Sequence, residues 1–145
     1  MTSAVASDQD TLHPPRLDAV AGMTAHGAVV EAMLASRTWT PDTCVFRCDA
    51  ISRILVRMCR DAGIDAQVLR LGPHRGPFPR MHPKWRAMTG NDADGACDGH
   101  HVVRIGDVVL DFTRLQFDDL SDVPHVTPVH ALCDEWDGWV ETTTP

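Results

Sequence analysis

The spacing of apolar residues divides the chain into helical and extended segments. Over residues 16–38, Val20, Met23, Val30 and Leu34 recur at helical spacing, with Gly27 a weak point on the same face. Trp39 stands where it would anchor the end of that helix. Thr40-Pro41-Asp42-Thr43 interrupts the pattern: Thr40 suits an N-cap with Pro41 at the first helical position, or the segment is a turn before a later helix start. The helical period returns over 44–62, where Ile51, Ile54, Leu55, Met58, Cys59 and Ala62 form a stripe. One turn further back the stripe meets Cys48. Gly63 follows, where a left-handed residue ends a helix, and 67–71 is rich in strand formers.

Residues 72–99 lose all periodicity and carry four prolines and five glycines. A loop of this length inside a compact domain is often a lid or a binding segment. Within it, Asp92-Ala93-Asp94-Gly95 has the start of a calcium loop but not its closing glutamate, and reads as a turn. Alternation with a period of two then marks 100–105 and 108–114 as a hairpin about Gly106-Asp107. Residues 115–126 read as mostly loop, with Pro124 inside it. Thr127-Pro128 suits the cap of a short helix carrying Leu132, Cys133 and Trp136, and the chain after Val140 reads as a frayed end. Trp136 and Trp139 read as packing residues.

A two-residue turn fixes which hairpin residues share a face. Ile105 then faces Val108, Arg104 faces Val109 and Val103 faces Leu110. His100, Val102, Arg104, Val109, Asp111 and Thr113 point one way. His101, Val103, Ile105, Val108, Leu110 and Phe112 point the other, and this more apolar set reads as the packing face. His100 and Asp111 become diagonal neighbours on one face. A slip of one residue would exchange His100 for His101.

Length and charge narrow the function. The 145 residues suit a tail over 1–15 and a single domain over 16–145. The first residues carry neither the basic nor the apolar region of a secretory signal, and no apolar run approaches a membrane span, so a cytoplasmic protein is expected. A net charge of −7 argues against nucleic acid as a partner. Arg75, Arg80, Lys84 and Arg86 cluster with His74 and His82, a group that reads as a solvated loop. Five cysteines, at 44, 48, 59, 97 and 133, are odd in number and irregular in spacing, which suits reduced thiols.

The chemistry concentrates on Cys48, His100 and Asp111. A carboxylate that accepts from one imidazole nitrogen fixes the tautomer and leaves the other nitrogen for a thiol proton. A cysteine near a helix start beside such a histidine is pushed toward thiolate.

These residues resemble the core of the transglutaminase-like and papain-like cysteine enzymes. Cys48, a helix ending in Ala62-Gly63-Ile64-Asp65-Ala66, a strand, a histidine opening the next strand, and Leu110-Asp111-Phe112-Thr113 followed by Gln116-Phe117 carry the likeness over roughly 44–117. The resemblance implies an α+β fold with N-terminal helices packed on a small antiparallel sheet. It implies acyl transfer from amides of a protein or peptide substrate, as deamidase, protease or transamidase, without a cofactor or a metal. Cys48 would be the nucleophile, His100 the base and acid, and Asp111 the orienting group, with His101 as the alternative base. Two departures stand out. Val102 replaces an aromatic residue, and no glutamine precedes Cys48 to serve as an oxyanion donor. Both suit the alternative of a catalytically inactive binding module on the same fold.

Other readings weigh less. Cys44 lies one turn before Cys48 and is the second candidate nucleophile. Cys59 falls on the packing stripe. Cys44 and Cys48 with His100 and His101 would form a zinc site only if two consecutive strand residues ligated from opposite faces.

Overall fold

A computed structural model of the chain describes residues 24–89, 97 and 99–142. The expected tail over 1–15, the start of the first helix over 16–23 and the turn at 92–95 lie outside those residues.

Helix α1 (Thr24–Ala35) buries Val29, Val30 and Met33. Trp39 holds its end, with the indole Nε1 donating to Leu34 O at 3.1 Å and the ring 5.3 Å from that of Phe112. Thr40 then caps α2 (Pro41–Cys44) in a reciprocal capping box: Thr43 N donates to Thr40 Oγ1 at 3.2 Å, and Thr40 N donates to Thr43 Oγ1 at 2.8 Å. Both sequence alternatives for this segment therefore hold, because Thr40-Pro41 opens a helix that lasts one turn and a second helix starts later. The break is at Phe46, whose φ of 61° is left-handed.

Helix α3 (Cys48–Asp61) follows. Its contact line runs along Ile51, Leu55 and Cys59, with Ser52 and Val56 beside it. Ile54, which the periodicity placed on the stripe, is 38% exposed. The helix leans toward the Ser52–Val56 side of its own i, i+4 row. Gly63, at φ 77°, ends it in a Schellman arrangement: Ile64 N donates to Cys59 O at 2.8 Å and Gly63 N to Arg60 O at 3.0 Å.

The remaining elements are β1 (Gln67–Leu71), α4 (Pro83–Thr89), β2 (His100–Ile105), β3 (Val108–Asp111), a 3-10 turn at Arg114–Gln116, β4 (His125–Pro128), a 3-10 turn at Val129–Ala131, α5 (Leu132–Glu135) and β5 (Trp139–Glu141). The strands form one antiparallel sheet in the order β4-β3-β2-β1-β5. The architecture is α+β. The β2–β3 register is Val103 with Leu110, Arg104 with Val109 and Ile105 with Val108, as a two-residue turn requires, and Gly106 at φ 59° supplies the left-handed position.

Three expectations change. The 72–99 segment is not wholly irregular, since Pro83 opens α4 within it. The expected short helix carrying Leu132 and Cys133 is α5, but Thr127 and Pro128 end the edge strand β4, where proline's missing N–H costs no ladder bond; Pro128 stands before the 3-10 turn without a side-chain cap bond, and α5 starts after Ala131. The chain after Val140 is not frayed at once: β5 pairs with β1, setting Leu71 against Trp139 and Leu69 against Glu141, and Thr142 N donates to Val68 O at 3.0 Å.

Both faces of the sheet are packed. Helices α1 and α3 cover Val68, Val103, Ile105, Leu110 and Phe112. On the opposite face Leu69, Leu71, Val102 and Val109 meet Phe78, Met81, Phe117, Leu132 and Trp136. The hairpin pattern marked only the first face as core. The second is also core because the segments flanking α4 and α5 fold over it. No helix among the described residues is long and apolar enough to cross a membrane.

Candidate active site

Cys48 is the first residue of α3 and is partly exposed. Its Sγ lies 3.7 Å from Nδ1 of His101. The charge of His100 also acts on this sulfur, while its buried Nδ1 has no hydrogen-bond partner among the described residues. The two histidines open β2 and point to opposite faces of it, and one sulfur at the end of the strand touches the influence of both.

His100 is completely enclosed. Its Nε2 donates to Asp111 Oδ2 at 2.7 Å. Its ring lies parallel to Trp136 at 5.8 Å and edge-on to Phe117 at 4.8 Å. The other carboxylate oxygen of Asp111 accepts from Thr113 N at 3.0 Å and from Thr113 Oγ1 at 3.4 Å. The parity of the hairpin therefore pairs His100, not His101, with Asp111.

The electrostatics follow from this packing. Burial alone would push the Asp111 carboxyl up. The charge and hydrogen bond of His100, with the Arg114 and His125 charges behind them, outweigh burial and hold it below the usual carboxylate value. Burial alone would push the His100 imidazole down, but the Asp111 charge and hydrogen bond, helped by Cys48, raise it to about 9. Burial pushes the Cys48 thiol up; hydrogen bonds from His100 and His101 and the His100 charge reverse this and bring it to about 6. The three shifts together favour a Cys48 thiolate beside a His100 imidazolium and an Asp111 carboxylate.

A second layer fixes the turn that delivers Cys48. A bulky residue at positive φ costs roughly 1–2 kcal/mol, so the Phe46 turn needs support. Phe46 N donates to Oε1 of Gln116 at 3.0 Å, and Trp85 Nε1 donates to the same oxygen at 2.5 Å. The Phe46 and Trp85 rings lie 5.0 Å apart, and Phe46 stays 46% exposed. Gln116 is fully buried, and its Nε2 has no hydrogen-bond partner among the described residues. Arg114 and Glu135 form a two-contact ion pair under Asp111. This pair, with His74 as a further donor to Glu135 at 3.1 Å, outweighs the burial that would raise Glu135 and takes its pKa down to about 2.

The sequence did not flag Phe46, Trp85, Phe117 or Trp136 as site residues. The string Gln116-Phe117 after Asp111 was the one available signal for Gln116. A left-handed phenylalanine has no sequence signature.

Other cysteines and histidines fall elsewhere. Cys44 is buried, its Sγ donates toward Phe112 O at 3.7 Å, and burial pushes its thiol up to about 11. Cys59 is buried in the α3 stripe and is likewise raised by burial to about 11. Cys97 donates to Gly99 O at 3.3 Å, and Cys133 is exposed. His74 and His82 are not surface residues. His74 stacks on Phe78 at 3.8 Å and also bonds Gly76 O, and His82 bonds Asp42 Oδ1 at 2.7 Å, with each side chain only 10% exposed. The arginines of the basic cluster have partners within the fold, while Arg75, Arg80 and Lys84 stay exposed. Arg75 pairs with Asp137, Arg80 with Asp118 and Asp119, and Arg86 donates to the carbonyls of Phe78, Pro79 and Met81. Among the described residues no three His, Cys, Asp or Glu side chains converge as metal ligands would.

Comparison of the chain with family models, with curated proteins and with solved structures finds no match.

Proposed function

We propose that this protein is a small thiol enzyme that cleaves or transfers the acyl group of an amide, on a transglutaminase-like core. The observation that carries the reading is the sulfur of Cys48 at the first turn of α3, set against two histidines of which one is tied to a buried aspartate at 2.7 Å. A structural cysteine needs no such partners, and burial alone raises a thiol's pKa, as it does for Cys44 and Cys59.

In this reading the Cys48 thiolate attacks the carbonyl carbon of a peptide or protein amide. The carbon–nitrogen bond breaks, the amine leaves with a proton, and an acyl thioester remains on Cys48. Water or a second amine then resolves it. Arg47 supplies no side-chain cap to α3, so backbone N–H groups of the first turn are the donors available to the developing oxyanion. Two residues before Cys48, the exposed Phe46 ring lies against Trp85 of α4 and would offer an apolar contact to a substrate.

The test is capture of the thioester. With p-nitrophenyl acetate, wild-type protein should gain one acetyl group at Cys48 that hydroxylamine removes, and Cys48→Ala should gain none there. If a folded, accessible Cys48 acquires no acyl group and releases no nitrophenol, the thiol enzyme reading fails and the fold serves as a binding module.

A further inference from the structure

Two histidines serve one sulfur at this site, and they differ in access. His100 is sealed, with its imidazole between Trp136 and Phe117, its Nε2 given to Asp111 and its Nδ1 buried. The ring has no solvent-exposed surface of its own. His101 is partly exposed, on the opposite face of β2, with Nδ1 3.7 Å from Cys48 Sγ. A group that carries protons to and from solvent or substrate must touch both the reacting centre and the open side, and His101 does.

We infer that the proton work is divided: His100, locked to Asp111, holds the counter-charge of the Cys48 thiolate, and His101 is the general acid and base that exchanges protons with the leaving amine and the attacking water. This rests on the thiol enzyme reading above. In the first half-reaction the thiolate forms the carbon–sulfur bond, and protonated His101 gives its proton to the departing nitrogen as the carbon–nitrogen bond breaks. In the second half-reaction water adds to the thioester carbon, neutral His101 takes one of its protons, and the carbon–sulfur bond breaks. The electron pair returns to sulfur beside the His100 imidazolium, and the acid leaves with the other water proton. His101 is then protonated for the next amide, so atoms and charge balance over the cycle without a co-reactant other than water.

The division predicts a separation that a single shared base does not allow. Alkylation and acylation by an activated ester need only the thiolate, because nitrophenolate leaves without a proton. Deacylation needs the solvent-side base. The experiment compares wild type, His101→Asn, His101→Gln and His100→Asn by iodoacetamide labelling of Cys48 and by stopped-flow turnover of p-nitrophenyl acetate. The expected result is that both His101 variants slow labelling and burst in part, because the His101 contact with the sulfur is lost, but deacylate roughly a further hundredfold more slowly, so that acetylated Cys48 accumulates. His100→Asn should lose labelling and burst together. Deacylation at the wild-type rate in folded His101 variants overturns the proposal, as does loss of labelling in them as deep as in His100→Asn. A wild type with neither burst nor fast labelling overturns the thiol enzyme reading itself, and the division with it. Using two His101 variants guards against one of them misfolding.

Discussion

Nε2 of His100 donates to Oδ2 of Asp111 at 2.7 Å in a space closed to solvent by Trp136 and Phe117. The bond joins the first residue of β2 to the last of β3, so the hairpin itself sets the distance. Its effect is to favour the charged form of a buried imidazole, which in turn favours a thiolate at Cys48.

Asp111→Asn should therefore act at a distance on the thiol. The amide can still accept a hydrogen bond but no longer offsets the imidazolium, so burial pulls His100 toward the neutral form and Cys48 loses its counter-ion. At pH 6.5 the thiolate fraction should fall toward the one per cent or so of an ordinary thiol, and iodoacetamide labelling of Cys48 should slow by one to two orders of magnitude. The check is the labelling rate of folded Asp111→Asn, confirmed folded by circular dichroism.

Gln116 supports the turn before Cys48. Gln116→Met fills the same volume but removes the acceptor shared by Phe46 N and Trp85 Nε1, leaving two donors short of a partner. The loss should destabilise the protein by about 1–3 kcal/mol in urea unfolding, and labelling of Cys48 should slow because the left-handed Phe46 turn relaxes. Trp85→Phe, which removes only one donor and keeps a ring against Phe46, should show a smaller loss on both measures.

The buried pair makes stability depend on pH in a defined direction. The Asp111 pKa is lowered by folding, so its contribution is present above the ordinary carboxylate value of about 4 and is lost as pH falls through the folded value. The His100 pKa is raised to about 9, so its contribution is full below about 6.5 and is lost as pH rises through about 9. Cys48, lowered to about 6, works in the opposite sense over the same range and partly masks the loss. In Cys48→Ala, unfolding free energy from urea titrations should fall between pH 6.5 and 9, and adding His100→Asn should remove most of that fall.

The hairpin was the most legible part of the fold. Gly106-Asp107 fixed a two-residue turn, and strict alternation then placed His100 and Asp111 on one face without any tertiary knowledge. Gly63 as a left-handed stop was equally readable. What the sequence hid depends on contacts between distant segments. Phe46 breaks what the periodicity continues as one helix, because Gln116, seventy positions away, supplies the bond that holds the turn. The second core, over the His100 face, comes from Phe78, Phe117 and Trp136, which lie in stretches without periodicity. His101 was readable only as an alternative to His100, because parity separates neighbouring strand residues; in the fold both act on the one sulfur of Cys48 at the start of α3.

The pH dependence of Cys48 alkylation in the native wild-type protein tests the account most directly. Labelling by iodoacetamide, with the site located by mass spectrometry, should rise with a midpoint near pH 6, while buried Cys44 and Cys59 stay unlabelled until the protein unfolds. A midpoint at Cys48 of about 8.5, that of an unperturbed thiol, would contradict it, since the sulfur would then lack the charged partner on which the proposed chemistry depends.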